Sequence, residues 1–393
     1  MQSPNGSPVA PRLAISRVTL SDFRCYGALR LEPEPGLMVL TGANGAGKTN
    51  LLEALSLLSP GRGLRGARLA DISRRRESAA GGHDGAAREW AVAAEFATPH
   101  GPLSVGVGWA AADGERRTVR IDSQTARSQT ALSEHVSMVW LTPAMDRLFL
   151  EASSGRRRFL DRLVYAFDPA HAGRIQAYDK ARRERTRLLR ETRGDDTWLG
   201  ALERNMAERA VAIAAARLDL VARLKRALDE ETGSFPHPEI AVHGVIEDSL
   251  DARPALDVEE SYRDALGKAR AEDRDSGTSE GVHRSDLFAR LSADGPPAEQ
   301  ASTGEQKAIL ISLILAHGRL LARLKGRVPV LLLDEIAAHL DQSRRAALFE
   351  AIHDLGAQTW LTGTDASLFA PLEGSAQFHA VVNGQIQQQA SYD

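Results

Sequence analysis

Residues 42–49 read "GANGAGKT" and satisfy the pattern GxxxxGK[ST] at every fixed position. Gly42, Gly45 and Gly47 let the backbone turn tightly. The N–H groups from Gly42 through Ala43, Asn44, Ala46 and Lys48 to Asn50 can then converge on phosphate oxygens. Lys48 is placed to reach the β- and γ-phosphates, and Thr49 offers a hydroxyl to Mg2+. Far downstream, "VLLLDE" ends in Asp334 and Glu335. Asp334 is expected to hold Mg2+ through water, and Glu335 to polarise the attacking water. A third stretch, "STGEQKAIL", sets Ser302 and Gly304 just ahead of an apolar helix, which makes a second anion cradle. The chemistry implied is binding and hydrolysis of a nucleoside triphosphate.

These residues need particular elements around them. A buried strand, "LMVL", precedes the glycine-rich turn and a helix, "KTNLLEALSLLS", follows, so the helix N-terminus points at the anion. The apolar run before Asp334 reads as a strand buried on both faces. From Leu13 to Leu141 the pattern is mostly β, with short runs such as "LAISRVTL", "WAVAAEF", "RRTVRI" and "VSMVWL". "SRRRESAAGGHDGAARE" between Ser73 and Glu89 reads as an exposed loop. The period then becomes helical, first over Arg156 to Glu191 and again over Trp198 to Glu230, with "GDD" between. That predicts an antiparallel hairpin reaching roughly 50 Å, a stub beside a coiled-coil rod. A strand region, "SFPHPEIAVHGVI", and a charged helix near Val258 to Ala271 follow. The last hundred or so residues return to an α/β pattern. The domains expected are a disordered tail at 1–12, an α/β lobe from 13–150 plus 300–393, and a helical lobe at 151–299. The Ser302 turn, 302–306, is expected at the lobe junction.

Bulk properties exclude several classes. No apolar run approaches the roughly 18 residues that span a membrane, and the N-terminus lacks the pattern of a secretion signal. One cysteine, Cys25, excludes an internal disulfide and Cys-based zinc motifs. The net charge is −3, so any nucleic-acid surface is a local patch rather than a global field. Six lysines stand against forty-three arginines, which fits GC-rich codon usage as well as phosphate recognition. A cytoplasmic location is expected.

The order of P-loop, Ser-x-Gly turn, strand ending in Asp-Glu and then "AAHLD" resembles the ATP-binding-cassette ATPases. Asp341 falls on their D-loop, where two protomers meet. The early "LSDFRCY" and Lys307 after the turn are similar to the chromosome-maintenance (SMC) branch. More narrowly, "PAMDRLFLEASSGRRRFLD", Pro143 to Asp161, and "GTSEGVHRSDL", Gly277 to Leu287, resemble the signature blocks of the RecF family. The resemblance covers nearly the whole chain after the tail. It implies an α/β ATPase head of ABC/SMC type with a mostly helical second lobe carrying a short hairpin, and it implies ATP and Mg2+ as cofactors.

The same resemblance implies a weak, switch-like ATPase in which Ser302 and Gly304 cap the γ-phosphate bound by a partner protomer. It implies an ATP-dependent homodimer that clamps single-stranded, duplex or gapped DNA and loads RecA with RecO and RecR in recombinational repair, replication-gap processing and the SOS response. Arg24 in "DFRCY" and Arg65 in "GRGLRGAR" are expected at the nucleotide, as in SMC heads. No glutamine near "WLTPAMD" matches a transporter Q-loop, and "LTGTD" puts Gly363 or Thr364 where transporters carry a switch histidine. Candidate DNA contacts are Arg74 to Arg76, Arg156 to Arg158, and Arg182, Arg183, Arg185 and Arg187. No aromatic residues interleave with them, so contact through the DNA backbone is expected. The readings set against this one are a transporter ATPase subunit, an SMC-like chromosome-maintenance ATPase and a metabolic P-loop kinase.

Overall fold

Apolar and polar residues alternate from residue 14, and the chain forms β1 (Ala14–Phe23) and β2 (Tyr26–Leu31). The computed structural model describes residues 13–74, 89–114, 116–191, 196–230, 235–278, 280–326, 328–338 and 340–389. The expected tail at 1–12, together with Arg75 and Arg76, lies outside them. β3 (Leu37–Thr41), buried throughout, leads into α1 (Lys48–Ser56). One-turn α2 (Leu69–Ile72) is followed by β4 (Trp90–Thr98), β5 (Gly101–Trp109), β6 (Thr118–Ile121) and β7 (Gln124–Thr125). One-turn α3 (Leu132–His135) and β8 (Met138–Leu141) come next. The middle of the chain is α4 (Ser153–Tyr165), α5 (His171–Arg190), α6 (Asp196–Asp229), β9 (Glu239–His243), α7 (Val245–Ala252), α8 (Ala255–Lys268), α9 (Arg270–Ser276) and β10 (Asp286–Arg290). Then come α10 (Thr303–Lys325), β11 (Val330–Leu333), α11 (Gln342–Leu355), β12 (Thr359–Gly363), β13 (Ala376–Val382) and β14 (Gln385–Gln389).

Two units divide the chain. The first takes residues up to Asp146, the short segment ending at Phe235, and residues from Leu310 onward; the second takes Arg147–Glu231 and Pro236–Ile309. The divide therefore falls at 146/147 and 309/310, against the 150/151 and 299/300 read from the sequence. Ser302 to Gln306 lie with the helical unit.

The first unit holds two sheets. One is antiparallel, in the order β2-β1-β4-β5-β6-β7. The other runs β14-β13-β3-β12-β11-β8, parallel from β13 to β8 with β14 antiparallel at its edge. β3, β12 and β11 inside the sheet, and β8 at its edge, are buried along their whole length, which is why each reads as an apolar run. Leu51, Leu52 and Leu55 of α1 join Leu20 and Val92 of the first sheet and Leu40 and Trp360 of the second in one core. Each of these side chains adds roughly 1.5–3 kcal/mol through burial. The topology has a direct consequence for the site. β12 lies between β3, which carries the glycine-rich turn, and β11, which carries the acidic pair. The carboxyl ends of all three strands point the same way, the usual place for a ligand in such a sheet.

The second unit is helical, with β9 and β10 as a two-stranded antiparallel pair. The helix expected over Arg156 to Glu191 is two helices, broken at 166–170. Pro169 disfavours helical backbone at Asp168, whose carboxylate accepts the Ala170 N–H at 3.1 Å in the turn ahead of α5. The hairpin is therefore unequal: α5 has 20 residues and α6 has 34, roughly 30 and 51 Å long. Leu188 and Leu189 of α5 meet Leu199 of α6, while Tyr178, Met206, Ile213 and Val258 form the main core of this unit.

Candidate nucleotide site

The glycine-rich turn leaves the end of β3 with φ of 148° at Gly42, 82° at Gly45 and 123° at Gly47. Only glycine adopts these values without strain. Gly47 is also crowded, because a Cβ there would sit 2.9 Å from both Cys25 Sγ and Tyr26 Oη. The Tyr26 hydroxyl donates to the Gly47 carbonyl at 3.0 Å, and burial pushes its pKa up, so it stays a donor. α1 then starts with no side-chain cap and no acidic residue in its first turn, which leaves its N–H groups for an anion. Lys48 is buried, with Nζ donating to Gly42 O at 2.6 Å and Ala43 O at 3.1 Å, and 3.4 Å from Glu335 Oε1.

Just past the end of β11 the Asp334 carboxylate meets two hydroxyl donors. The Thr49 hydroxyl lies 2.9 and 3.0 Å from its two oxygens, and the Thr362 hydroxyl donates to Oδ1 at 2.7 Å. Glu335 follows with φ of 50°, a left-handed conformation costing about 1–2 kcal/mol in a non-glycine residue. Its N–H donates to the Thr362 hydroxyl at 2.9 Å. A hydroxyl and a carboxylate are hard oxygen donors of the kind that would suit Mg2+. Among the described residues no three His, Cys, Asp or Glu side chains gather as a protein-only metal cage.

Arg24 and Arg65 converge on a residue the sequence reading missed. Glu53 of α1 is 1 % exposed. Arg24 grips it at 2.9 and 2.7 Å and also donates to Asp71 O at 2.8 Å. Arg65 Nη1 donates to Glu53 Oε2 and Asn50 Oδ1, each at 2.8 Å, and Asn50 Nδ2 donates to Cys25 Sγ at 3.2 Å. Both arginines are thus tied to the flank of the helix that starts with Lys48. The available signal was one carboxylate inside an otherwise apolar stretch, "LLEALSLL". Thr362, likewise missed, was a lone hydroxyl in "WLTGT".

Ser302 and Asp341 are helix caps. The Ser302 hydroxyl donates to Glu305 Oε2 at 2.7 Å and accepts the Glu305 N–H at 3.3 Å, while Ser302 N–H donates to the same carboxylate at 2.8 Å. That is a capping box at the start of α10, with Gly304 in its first turn. Asp341 accepts the Arg344 N–H at 2.8 Å and the Ser343 hydroxyl at 2.6 Å, which together hold its carboxyl below the usual range.

The family described as RecF/RecN/SMC N terminal domain matches residues 14–385. The chain is 50 % identical over 376 residues to the DNA replication and repair protein RecF of Mesorhizobium japonicum, covering 95 % of this chain and 97 % of that one. To RecF of Rhizobium johnstonii it is 45 % identical, covering 95 % and 99 %. The chain belongs to the RecF family of DNA replication and repair proteins. Its fold agrees with the structure of the recombination mediator protein RecF-ATP in the RecFOR pathway, with a TM-score of 0.82 at 22 % identity over 98 % of this chain and 100 % of that one. A Pyrococcus furiosus Smc head bound to the C-terminal domain of ScpA superposes with a TM-score of 0.52 at 15 % identity, covering 96 % of each chain.

The two RecF-like blocks meet each other in the second unit. Arg156 grips Asp286 at 2.6 and 2.7 Å and donates to Glu151 O at 2.8 Å and Phe149 O at 3.1 Å. Arg157 donates to Ser285 O at 2.7 Å. Asp161 pairs with Arg217 at 2.8 and 3.0 Å and with His171 at 2.9 Å, and Arg217 continues to Glu247 and Val282 O. Burial works against ionisation of Asp161, but His171 and Arg217 together bring its pKa down. These contacts correct the reading of the basic clusters. Arg156 and Arg185 are buried in ion pairs within this unit and do not stand exposed, as a contact to DNA phosphates would require. Arg185 is fully buried between Glu203 at 3.0 Å and Asp273 at 2.7 Å, and its last arm donates to Leu266 O at 2.6 Å. Both arginines hold this RecF-type unit together. Arg158, Arg183 and Arg187 are exposed.

Proposed function

We propose that this chain binds ATP on the Gly42–Thr49 turn and hydrolyses it slowly, as a switch for DNA binding in repair and replication-gap processing. The observation that carries this reading is the approach of Thr49 to Asp334. These residues are 285 positions apart in sequence and within 2.9 Å in the fold, at the mouth of the glycine-rich turn. Lys48 would neutralise charge on the terminal phosphates, and Thr49 with Asp334 would hold Mg2+, which when bound supplies further charge neutralisation. Glu335 would take up the proton of the attacking water from its position 3.4 Å from the Lys48 ammonium. Arg24 and Arg65 would stiffen the nucleotide side of α1 through Glu53.

Ser302 and Gly304 would cap the γ-phosphate bound by a second protomer, with Asp341 at the junction, so that ATP closes a homodimer on DNA. RecO and RecR are the partners, and RecA loading the outcome, in line with the pathway named for the RecF-ATP structure. The DNA would be gripped through its phosphates by exposed arginines. No helix among the described residues is long and apolar enough to cross a membrane, and the reading places the protein in the cytoplasm.

The test mixes two inactive variants. Lys48→Met keeps a good Ser302 turn, and Ser302→Arg keeps a good glycine-rich turn. Partial recovery of ATPase on mixing is expected from one intact composite site per heterodimer. Loss of ATP binding by isolated Ser302→Arg monomers overturns the dimer mechanism.

A further inference from the structure

β12 ends between the glycine-rich turn and the acidic pair, and the residue it presents there is fixed by packing. At Gly363 a Cβ would lie 2.5 Å from Cε2 of the fully buried Phe369, so this position admits no side chain. Thr364 is exposed. The side chain that does reach the acidic pair is Thr362, itself 0 % exposed. Valine would fill the same volume on a buried strand with no polar group to satisfy, so the hydroxyl has a role beyond packing. It acts as donor and acceptor at once: the single O–H proton goes to Asp334 Oδ1 at 2.7 Å, and an oxygen lone pair takes the Glu335 N–H at 2.9 Å.

We infer that Thr362 is the positioning residue that couples Asp334 to Glu335. One hydroxyl fixes the orientation of the Asp334 carboxylate through a charge-assisted bond. The same oxygen anchors the N–H of Glu335, whose φ of 50° is a conformation that persists only where its surroundings hold it. The hydroxyl thus ties the oxygens that would face Mg2+ to the backbone that aims Glu335. β12 needs no side chain at 363 for this, because residue 362 already delivers the polar contact. This inference rests on the proposed roles of Asp334 and Glu335.

The experiment compares Thr362→Val, Thr362→Ser and Glu335→Gln in the full chain. Calorimetric ATP binding is measured with and without Mg2+, alongside single-turnover hydrolysis. Thr362→Val should bind Mg2+-free ATP like the parent, lose most of the gain in affinity that Mg2+ brings, and hydrolyse about 10- to 100-fold more slowly. Thr362→Ser, which restores the hydroxyl, should recover both properties. Thr362→Ala removes the hydroxyl without adding bulk beside Asp334 and carries the same expectation where the valine variant does not fold. Thr362→Val with parental hydrolysis and parental Mg2+ response overturns the inference, provided Glu335→Gln is inactive. Should Glu335→Gln hydrolyse ATP at the parental rate, the reading of the site itself fails instead.

Discussion

Both units bury arginine–carboxylate clusters, yet the two clusters are built differently. In the second unit the Arg185, Glu203 and Asp273 side chains are 0 %, 3 % and 1 % exposed, and those of Arg217 and Glu247 are 3 % and 0 %. Each of these charges is enclosed and meets an opposite charge, and only the outer members of the networks, Asp161 at 16 % and Arg270 at 28 %, are more open. In the first unit the partners of Lys48 and Glu53 stay partly open, with Glu335 at 22 %, Arg24 at 21 % and Arg65 at 40 %. Strain divides the same way. Among the described residues the non-glycine positions with positive φ are Asp22, Arg24, Asp122, Ser123, Glu335 and Asn383, all in the first unit. Arg24 and Glu335 belong to the candidate site. Matched charge under full burial marks a structural fastening, whereas half-open charge on strained backbone marks a place prepared for a ligand.

The comparison breaks hardest at Arg185. Arg185→Met should leave Glu203 and Asp273 buried without their shared cation and cost about 3–5 kcal/mol in denaturant unfolding. Arg185→Lys should recover little, since one ammonium cannot bridge two carboxylates and a carbonyl with the guanidinium's fixed fork. A neutral result would place the stability of the second unit elsewhere. At the open cluster the expectation is reversed. Lys48→Met should weaken ATP binding by at least about 100-fold while leaving the unfolding midpoint nearly unchanged, because charge-assisted bonds to phosphate are lost and no core is opened. Parental affinity in a calorimetric titration would contradict that. A smaller effect is expected at the exposed arginines. Replacing Arg183 and Arg187 together by Gln should weaken DNA binding alike for unrelated sequences and lower the salt slope by about 2. Arg156→Gln, by contrast, should show first in stability. An Arg156→Gln chain of parental stability with weakened DNA binding would instead put Arg156 on the DNA surface.

Much of the first unit was legible because its signals are local. "GANGAGKT" fixes both its own turn and the elements around it, and β11 and β12 are apolar runs of strand length. Two strands not read from the sequence lack that clarity. β14 is "QIQQQ", an edge strand with little apolar content, and β10 is the short "DLFAR", with a charge at each end. The basic clusters misled for a related reason. An arginine on a helix has the same local pattern whether it faces water or a carboxylate 88 positions away, as Arg185 faces Asp273. Glu53 and Thr362 went unnoticed because their roles depend on strands brought alongside by the fold. Their only local trace is a polar side chain in an apolar run.

The smallest expected effect tests whether the closed unit is also the pH-sensitive one. His283 lies in the second RecF-like block, with Nδ1 3.0 Å from the Tyr178 hydroxyl and Nε2 3.0 Å from Thr278 O. Burial lowers its pKa from 6.5 to about 4, and the nearby charges of Arg182, Arg284 and Arg157 push the same way against the Thr278 carbonyl. The unfolded chain therefore takes up a proton near pH 6.5 that the folded chain refuses until about pH 4. Stability from this group is complete above pH 6.5 and drains away as pH falls toward 4. Asp161, whose pKa is lowered from 3.8, acts in a more acid window. His379, lowered by burial in the first unit, is common to both chains and cancels in a comparison. Unfolding midpoints of the parent should thus fall more steeply than those of His283→Gln across that interval. Arg182→Gln, which removes one of the charges holding the value down, should flatten the parent's slope from the opposite side. Equal slopes for the parent and His283→Gln would show that the ring takes up its proton in the folded chain as readily as in water.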